Sequence, residues 1–231
     1  MRYPYIAYSD KVTVHPLFKW LTGEPFVISM AAGSDLYDQV DLLNQRAFQE
    51  WLDKKIDRNS PHRRDQVPPL HKWGVASYLE NREPLLYKYP QMKEEQRYFH
   101  LGLDIIVGCG VPLYAPLDAV VKESGYEEGE GNYGGNVLLM HESPFFETFY
   151  SLYGHLNRER LPAPGDSFRA GEAFAFIGDF HENGNWFYHT HLQVITQKGY
   201  EQGFVSKGYC SAEDLKVIDT LCPSPLLLFK T

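Results

Sequence analysis

A change of period near Tyr98 constrains this chain more than any other feature. Downstream, apolar residues alternate in short runs at 103–107, 118–123, 136–141, 147–153, 173–177 and 189–196. Between the runs stand Gly125, Gly129, Gly131, Gly134-Gly135, Pro164-Gly165, Gly171, Gly178 and Gly184. Alternation sends successive side chains to opposite faces of a strand, and glycine and proline make the turns. Short strands at this spacing predict a mainly β unit over residues 96–198, an antiparallel β sandwich or open barrel.

Upstream, the period is helical. Leu36, Val40, Leu43, Ala47 and Trp51 fall on one face, and Phe48, Leu52 and Ile56 widen the stripe. They predict an amphipathic helix over about 35–56, capped by Ser34 with Asp35 and Asp38 in its first turn. The polar stretch 57–64, with Arg58, Arg63 and Arg64, reads as a solvated loop, and Pro68-Pro69 stops any regular element. A short helix is expected over 75–82. Residues 1–95 thus form a helical extension, giving an α+β chain overall. In the tail, 199–231, a short helix is expected near 211–218. Its apolar end, Pro225-Leu226-Leu227-Leu228-Phe229, is expected to pack back on the body.

Composition removes several classes. At 231 residues and 43% apolar, the chain can bury a core without staples. Lys plus Arg number 22 against 30 for Asp plus Glu, the opposite of a phosphate-backbone binder, so no nucleic-acid partner is expected. The three cysteines, Cys109, Cys210 and Cys222, form no C-x-x-C, which argues against a disulfide framework and a cysteine zinc ribbon. No run of about 18 apolar residues exists, so no membrane span is expected. Asp10, Lys11 and His15 interrupt the N-terminal stretch, so no signal peptide is read there. A cytoplasmic location is the expectation, or a periplasmic or extracellular one if another route exports the chain. The oligomeric state is not legible.

Chemistry concentrates in three short segments. His100-Leu101-Gly102-Leu103-Asp104 opens the β region, Tyr153-Gly154-His155-Leu156 ends an aromatic strand, and His189-Thr190-His191 starts the last clear one. Residues two apart on a strand share a face, so His189 and His191 project together, as do His100 and Asp104 if that segment is extended. Gly102 between them removes a side chain that would crowd the site. Imidazoles and a carboxylate suit zinc, and three protein ligands leave a fourth position open for catalysis. The five groups exceed three ligands, which frees imidazoles for proton transfer and oxyanion stabilisation. His141 ends an apolar strand and reads as structural or surface. His15, His62, His71 and His181 have no partners at a recognisable spacing.

These segments resemble the lysostaphin-type (LytM-like) zinc metallopeptidases, which cut peptide bonds of bacterial peptidoglycan. The pattern is H-x(3)-D with a central glycine, then Y-x-H-L, then H-x-H. The flanking stretches 115–121, 132–141, 164–166, 171–172 and 177–178 are similar as well. The resemblance implies that His100, Asp104 and His191 ligate Zn²⁺ and that His155 and His189 are the catalytic pair. It implies a zinc-dependent endopeptidase acting on a murein cross-link peptide or muropeptide. Two departures stand out. Asn185-Trp186-Phe187-Tyr188 replaces small residues before H-x-H, and Gln193 replaces a common acidic residue. They put the groove wall and the substrate choice in question; the absence of a signal peptide leaves room for a silent, peptidase-like binding domain, and together with the bulky wall for an intracellular zinc amide hydrolase. The loop 125–131 is acidic and reads as a solvated hairpin tip.

Overall fold

A computed structural model describes residues 11–56 and 72–230. The basic segment 57–64, Pro68-Pro69, His62 and His71 lie outside the described residues. The strands are β1 (Phe26–Ile28), β2 (Gly74–Ala76), β3 (Phe99–His100), β4 (Leu103–Ile106), β5 (Pro112–Tyr114), β6 (Ala119–Glu127), β7 (Gly134–Ser143), β8 (Phe146–Leu156), β9 (Ser167–Phe168), β10 (Ala173–Phe176), β11 (Thr190–Thr196) and β12 (Tyr209–Cys210). The α-helices are α1 (Leu36–Gln39), α2 (Gln45–Asp53), α3 (Glu83–Leu86), α4 (Pro90–Glu95) and α5 (Gln197–Glu201).

The chain is mainly β, as the alternation predicts. Among the described residues eight strands make one sheet in the order β1-β2-β4-β11-β8-β7-β6-β9, and no barrel closes. The sheet is mixed. Its neighbours from β2 to β9 pair antiparallel, but β1 lies parallel to β2, so the segment before Tyr98 extends the sheet at one edge. Two small sheets, β5–β10 and β3–β12, sit beside it.

Three apolar clusters fix the central strands. On one face, Leu103, Ile105, Val137, Tyr153, Leu192 and Val194 pack with Phe18 near one end of the chain and Leu228 near the other. A second cluster joins α2 to the sheet through Phe48, Leu52, Ile56, Ile106 and Phe187. A third brings Phe204, Ile218 and Leu221 of the tail against Leu138, Leu152 and Ile195. Every residue of β11 is therefore buried. Among the described residues no helix is long and apolar enough to cross a membrane.

Three helical expectations are corrected. The helix expected over 35–56 is broken into α1 and α2. Val40 is extended (φ −155°, ψ 145°), and Asp41 accepts the Leu43 amide at 2.9 Å. Asn44 restarts the helix by accepting the Ala47 amide at 3.1 Å. Short polar side chains that bond nearby amides compete with a continuing helix. The buried face also differs from the expected stripe. Leu43 is exposed, while Leu42, Gln45, Phe48, Gln49 and Leu52 are buried. The helix expected over 75–82 is instead strand β2, because Val75 pairs with Val27 and Ile105. The helix starts at Glu83, where Pro84 presets the backbone. Near 211–218 the chain forms short 3₁₀ turns rather than an α-helix.

Phe48 is fully buried, with its ring centroid 4.9 Å from that of Phe187. Phe48→Ala should lower unfolding free energy by about 3–5 kcal/mol. Urea denaturation checks this, and a loss under about 1 kcal/mol would show that α2 is not part of the core.

Candidate metal centre

Sheet register builds the centre. Asp104 on β4 lies directly opposite His191 on β11, and His191 lies opposite Gly154 on β8. Cross-strand neighbours share a face, so the carboxylate and the imidazole meet side by side. Gly102 leaves room for them, since a Cβ there would collide with the His191 ring. His100 belongs to β3, one short break before β4. Its amide donates to Glu80 O at 3.0 Å and its carbonyl accepts the Leu79 amide at 2.7 Å, while β12 pairs it with Tyr209. His155 ends β8 with φ +65°, a conformation costly for a branched-ring residue. Three hydrogen bonds hold it: its amide to Tyr133 O, its carbonyl from the Gly178 amide, and Nδ1 to Asn183 O. His189 directly precedes β11, its ring stacked on Phe187 at 4.1 Å.

The hydrogen bonds also fix the tautomers. A backbone carbonyl only accepts, so Nδ1 of His100, His155 and His189 must donate to Ser77 O (3.0 Å), Asn183 O (2.8 Å) and Phe187 O (2.8 Å). Gln193 directs its Nε2 to Phe204 O, so its Oε1 accepts from His191 Nε2 at 3.0 Å. In the neutral rings, Nε2 of His100, His155 and His189 and Nδ1 of His191 are then bare lone pairs. His100 Nε2 and His191 Nδ1 lie 2.9 Å apart with no proton between them. Asp104 Oδ1 is 3.2 Å from the first and 3.4 Å from the second, and is buried without a hydrogen-bond partner. Two lone pairs and an anionic oxygen at these distances repel unless a cation joins them. Donor atoms of a tetrahedral zinc site are about 3.3 Å apart, so the triangle fits such an ion. His100, Asp104 and His191 are the residues that could hold it, each buried.

Protonation of His100 does not relieve the repulsion at neutral pH. Burial, with the Arg82 charge, pushes His100 down to about 3. Burial likewise pushes His189 down to about 4, against the pull of Asp104, and holds His155 well below the usual histidine range. For Asp104, burial works upward but is outweighed by His100, Arg82 and His189, leaving its carboxyl well below the ordinary value. His189 Nε2 lies 3.7 Å from Asp104 Oδ1, and its ring centroid is 4.3 Å from that of His155. The surplus imidazoles therefore sit beside the triad, on a cavity of about 170 Å³ that both line together with Asp104 and His191.

Four residues that sequence reasoning missed support the centre. Arg82 is buried and donates Nη1 to Asp104 Oδ2 at 2.7 Å and Nε to Glu80 Oε2 at 2.8 Å. Glu80 in turn accepts from Ser29 Oγ and the Met30 amide. Gln45 and Gln49 of α2 accept the amides of Phe187 (3.0 Å) and Tyr188 (2.6 Å), fixing the loop that precedes His189. The bulky wall is thus part of the core: Phe187 packs on Phe48, and Trp186 lines the cavity. Glu127 of the acidic loop also lines it. His141 is elsewhere, buried between Asp118 O and Ser151 Oγ, and burial pushes it down to about 4. His15 and His181 are exposed and outside the cavity.

Such a constellation, a buried triad of donors flanked by two further imidazoles, could hold a metal ion beside two proton acceptors. Residues 98–202 match Peptidase family M23, and this stretch is a domain of that family. Over 79 residues the chain is 33% identical to the peptidoglycan DD-endopeptidase ShyC of Vibrio cholerae, a match covering 34% of this chain and 16% of that protein. Among solved structures, a zinc containing peptidase from Vibrio cholerae is 23% identical, with a TM-score of 0.35 over 42% of this chain and 27% of that one. The catalytic domain of lysostaphin from Staphylococcus simulans is 18% identical, with a TM-score of 0.38 over 51% and 79%.

The buried neutral histidines set an acid limit on stability. In the unfolded chain they titrate near about 6.5. As pH falls from there towards about 4, the unfolded chain takes up protons that the folded His189 and His141 refuse. Stability therefore falls with falling pH across that window. The melting temperature of metal-free protein should drop steadily from pH 6.5 to 4, and a flat profile would contradict the burial of uncharged rings.

Proposed function

We propose that this chain is a zinc-dependent peptidase that hydrolyses peptide bonds of peptidoglycan, an endopeptidase of murein cross-link peptides. One observation carries the reading: His100 Nε2, His191 Nδ1 and Asp104 Oδ1 converge as unprotonated donors, with two further imidazoles beside them. The M23 match and the similarity to a peptidoglycan DD-endopeptidase support the substrate class.

When bound, zinc supplies Lewis-acid polarisation of the scissile carbonyl and lowers the pKa of water. The chain's own residues do the rest. His100, His191 and Asp104 would hold the ion, and Arg82 fixes the Asp104 carboxylate through its other oxygen. His155 Nε2 and His189 Nε2 both start as proton acceptors, because each ring already donates Nδ1–H to a backbone carbonyl. One of them takes the proton of the attacking water. Neither presents an N–H to the cavity at rest, so an imidazole stabilises the developing oxyanion only once it has become protonated at Nε2. That proton then passes to the leaving nitrogen.

His100→Ala should lose stoichiometric zinc, read by elemental analysis. His189→Ala should keep zinc and lose turnover by about 10²–10⁴-fold, read by mass spectrometry of digested muropeptides. Full metal content in His100→Ala, or undiminished turnover in His189→Ala, would contradict the assignment.

A further inference from the structure

The cavity beside the triad carries two positive charges that take no part in the proton transfers. Arg82 and Arg97 are both buried, and both line it. Arg82 commits Nε to Glu80 and Nη1 to Asp104, but its Nη2 is buried with no hydrogen-bond partner. Arg97 Nε lies 2.7 Å from Glu95 Oε2, without hydrogen-bond alignment, and that carboxylate is half in solvent. Glu127 on the same wall accepts the Tyr133 amide at 3.3 Å. Buried guanidinium groups are normally saturated by acceptors, and a planar fork matches a carboxylate. The volume, about 170 Å³, is below the roughly 300–1,000 Å³ of pockets that enclose drug-sized ligands, so it suits a short peptide end.

We propose that Arg82 and Arg97 hold a substrate carboxylate borne on the carbon that carries the leaving nitrogen. The argument rests on the peptidase reading above and deepens it. Arg82 touches a residue of the triad, so the group it reads must lie close to the scissile bond. In a peptide the acyl-side carboxyl is itself the scissile carbonyl. The nearest free carboxylate is therefore the one on the leaving residue. Two substrates share this chemistry. One is a chain terminus, where the last residue leaves. The other is a cross-link through the side-chain amine of a diamino acid whose adjacent carboxyl stays free. Hydrolysis adds water across the C–N bond, hydroxyl to the acyl carbon and hydrogen to the nitrogen, and leaves the bound carboxylate unchanged. A glycine bridge offers no carboxylate there and is a poor substrate.

The test uses the zinc-reconstituted full chain and matched substrates. One pair is acetyl-D-alanyl-D-alanine and its C-terminal amide. The other is a muropeptide dimer cross-linked through diaminopimelate, with the carboxyl beside the cross-link free or amidated. The free carboxylate should be preferred by about tenfold or more in kcat/KM, chiefly through KM. Arg97→Gln should shrink that preference to under about threefold, while Arg97→Lys keeps part of it. A preference confined to one pair assigns the source, terminus or cross-link. In parallel, calorimetry compares binding of D-alanine and D-alaninamide to wild type and Arg97→Gln. Cleavage of free and amidated substrates at equal rates, or a preference untouched in Arg97→Gln, overturns the proposal and leaves the peptidase reading standing. If nothing is cleaved but D-alanine binds over its amide through Arg97, the peptidase reading falls and the carboxylate site stands. Equal binding with no cleavage overturns both.

Discussion

Four imidazoles turn their lone pairs towards one small buried volume, and the surrounding structure is arranged around that fact. Each ring has given its other nitrogen's hydrogen to a fixed acceptor: Ser77 O, Asn183 O, Phe187 O or Gln193 Oε1. The rings can neither rotate nor exchange tautomer without breaking one of these bonds. With Asp104 Oδ1 among them, the volume is rich in electron pairs and poor in protons. In a low-dielectric interior that concentration is unfavourable until a cation enters, and the outward bonds make the entry geometry fixed in advance.

Holding that arrangement takes more than the family-matched stretch. The negative charge of Asp104 passes to Arg82, then to Glu80, and from there to Ser29 and Met30. Burial works against the Arg82 charge, but Asp104, Tyr209 and Glu80 keep its guanidinium protonated. A buried ion pair standing alone is a weak source of stability, and removing one member is strongly destabilising. This chain of charges therefore ties residues 29–30 and 80–82 to the site as firmly as apolar packing ties them to the sheet. On the other flank, the two glutamines of α2 hold the loop that leads into His189. The tail adds β12 against His100 and the cluster around Phe204 and Leu221.

Much of this was legible in the sequence, and the remainder was not for physical reasons. Period-two alternation and glycine turns located the long strands, because a strand's periodicity is local information. The spacing H-x(3)-D, the lone His155 and the pair His189/His191 drew attention to five residues, four of which line one cavity with His100 against Asp104 and His191 beside it. Three strands of two or three residues (β1, β2 and β12) left no pattern, since their pairing is decided by distant partners. The split between α1 and α2 was hidden because Asp41 and Asn44 read as ordinary polar positions on a helix face. Gln45 and Gln49 lie outside the apolar stripe, yet both are buried, accepting amides 142 and 139 residues away. Arg82 had no spacing rule to reveal it, as its bond to Asp104 spans 22 residues and depends on the sheet register.

The direct test is the protonation pattern of the rings themselves. Long-range nitrogen–proton correlation spectra of metal-free protein at neutral pH distinguish the two neutral tautomers and the imidazolium. His100, His155 and His189 should each be neutral with their hydrogen on Nδ1, and His191 should carry a hydrogen on Nε2, towards Gln193. A hydrogen on His100 Nε2 or His191 Nδ1, or a charged ring among His100, His155 and His189, would mean that the lone pairs do not converge there.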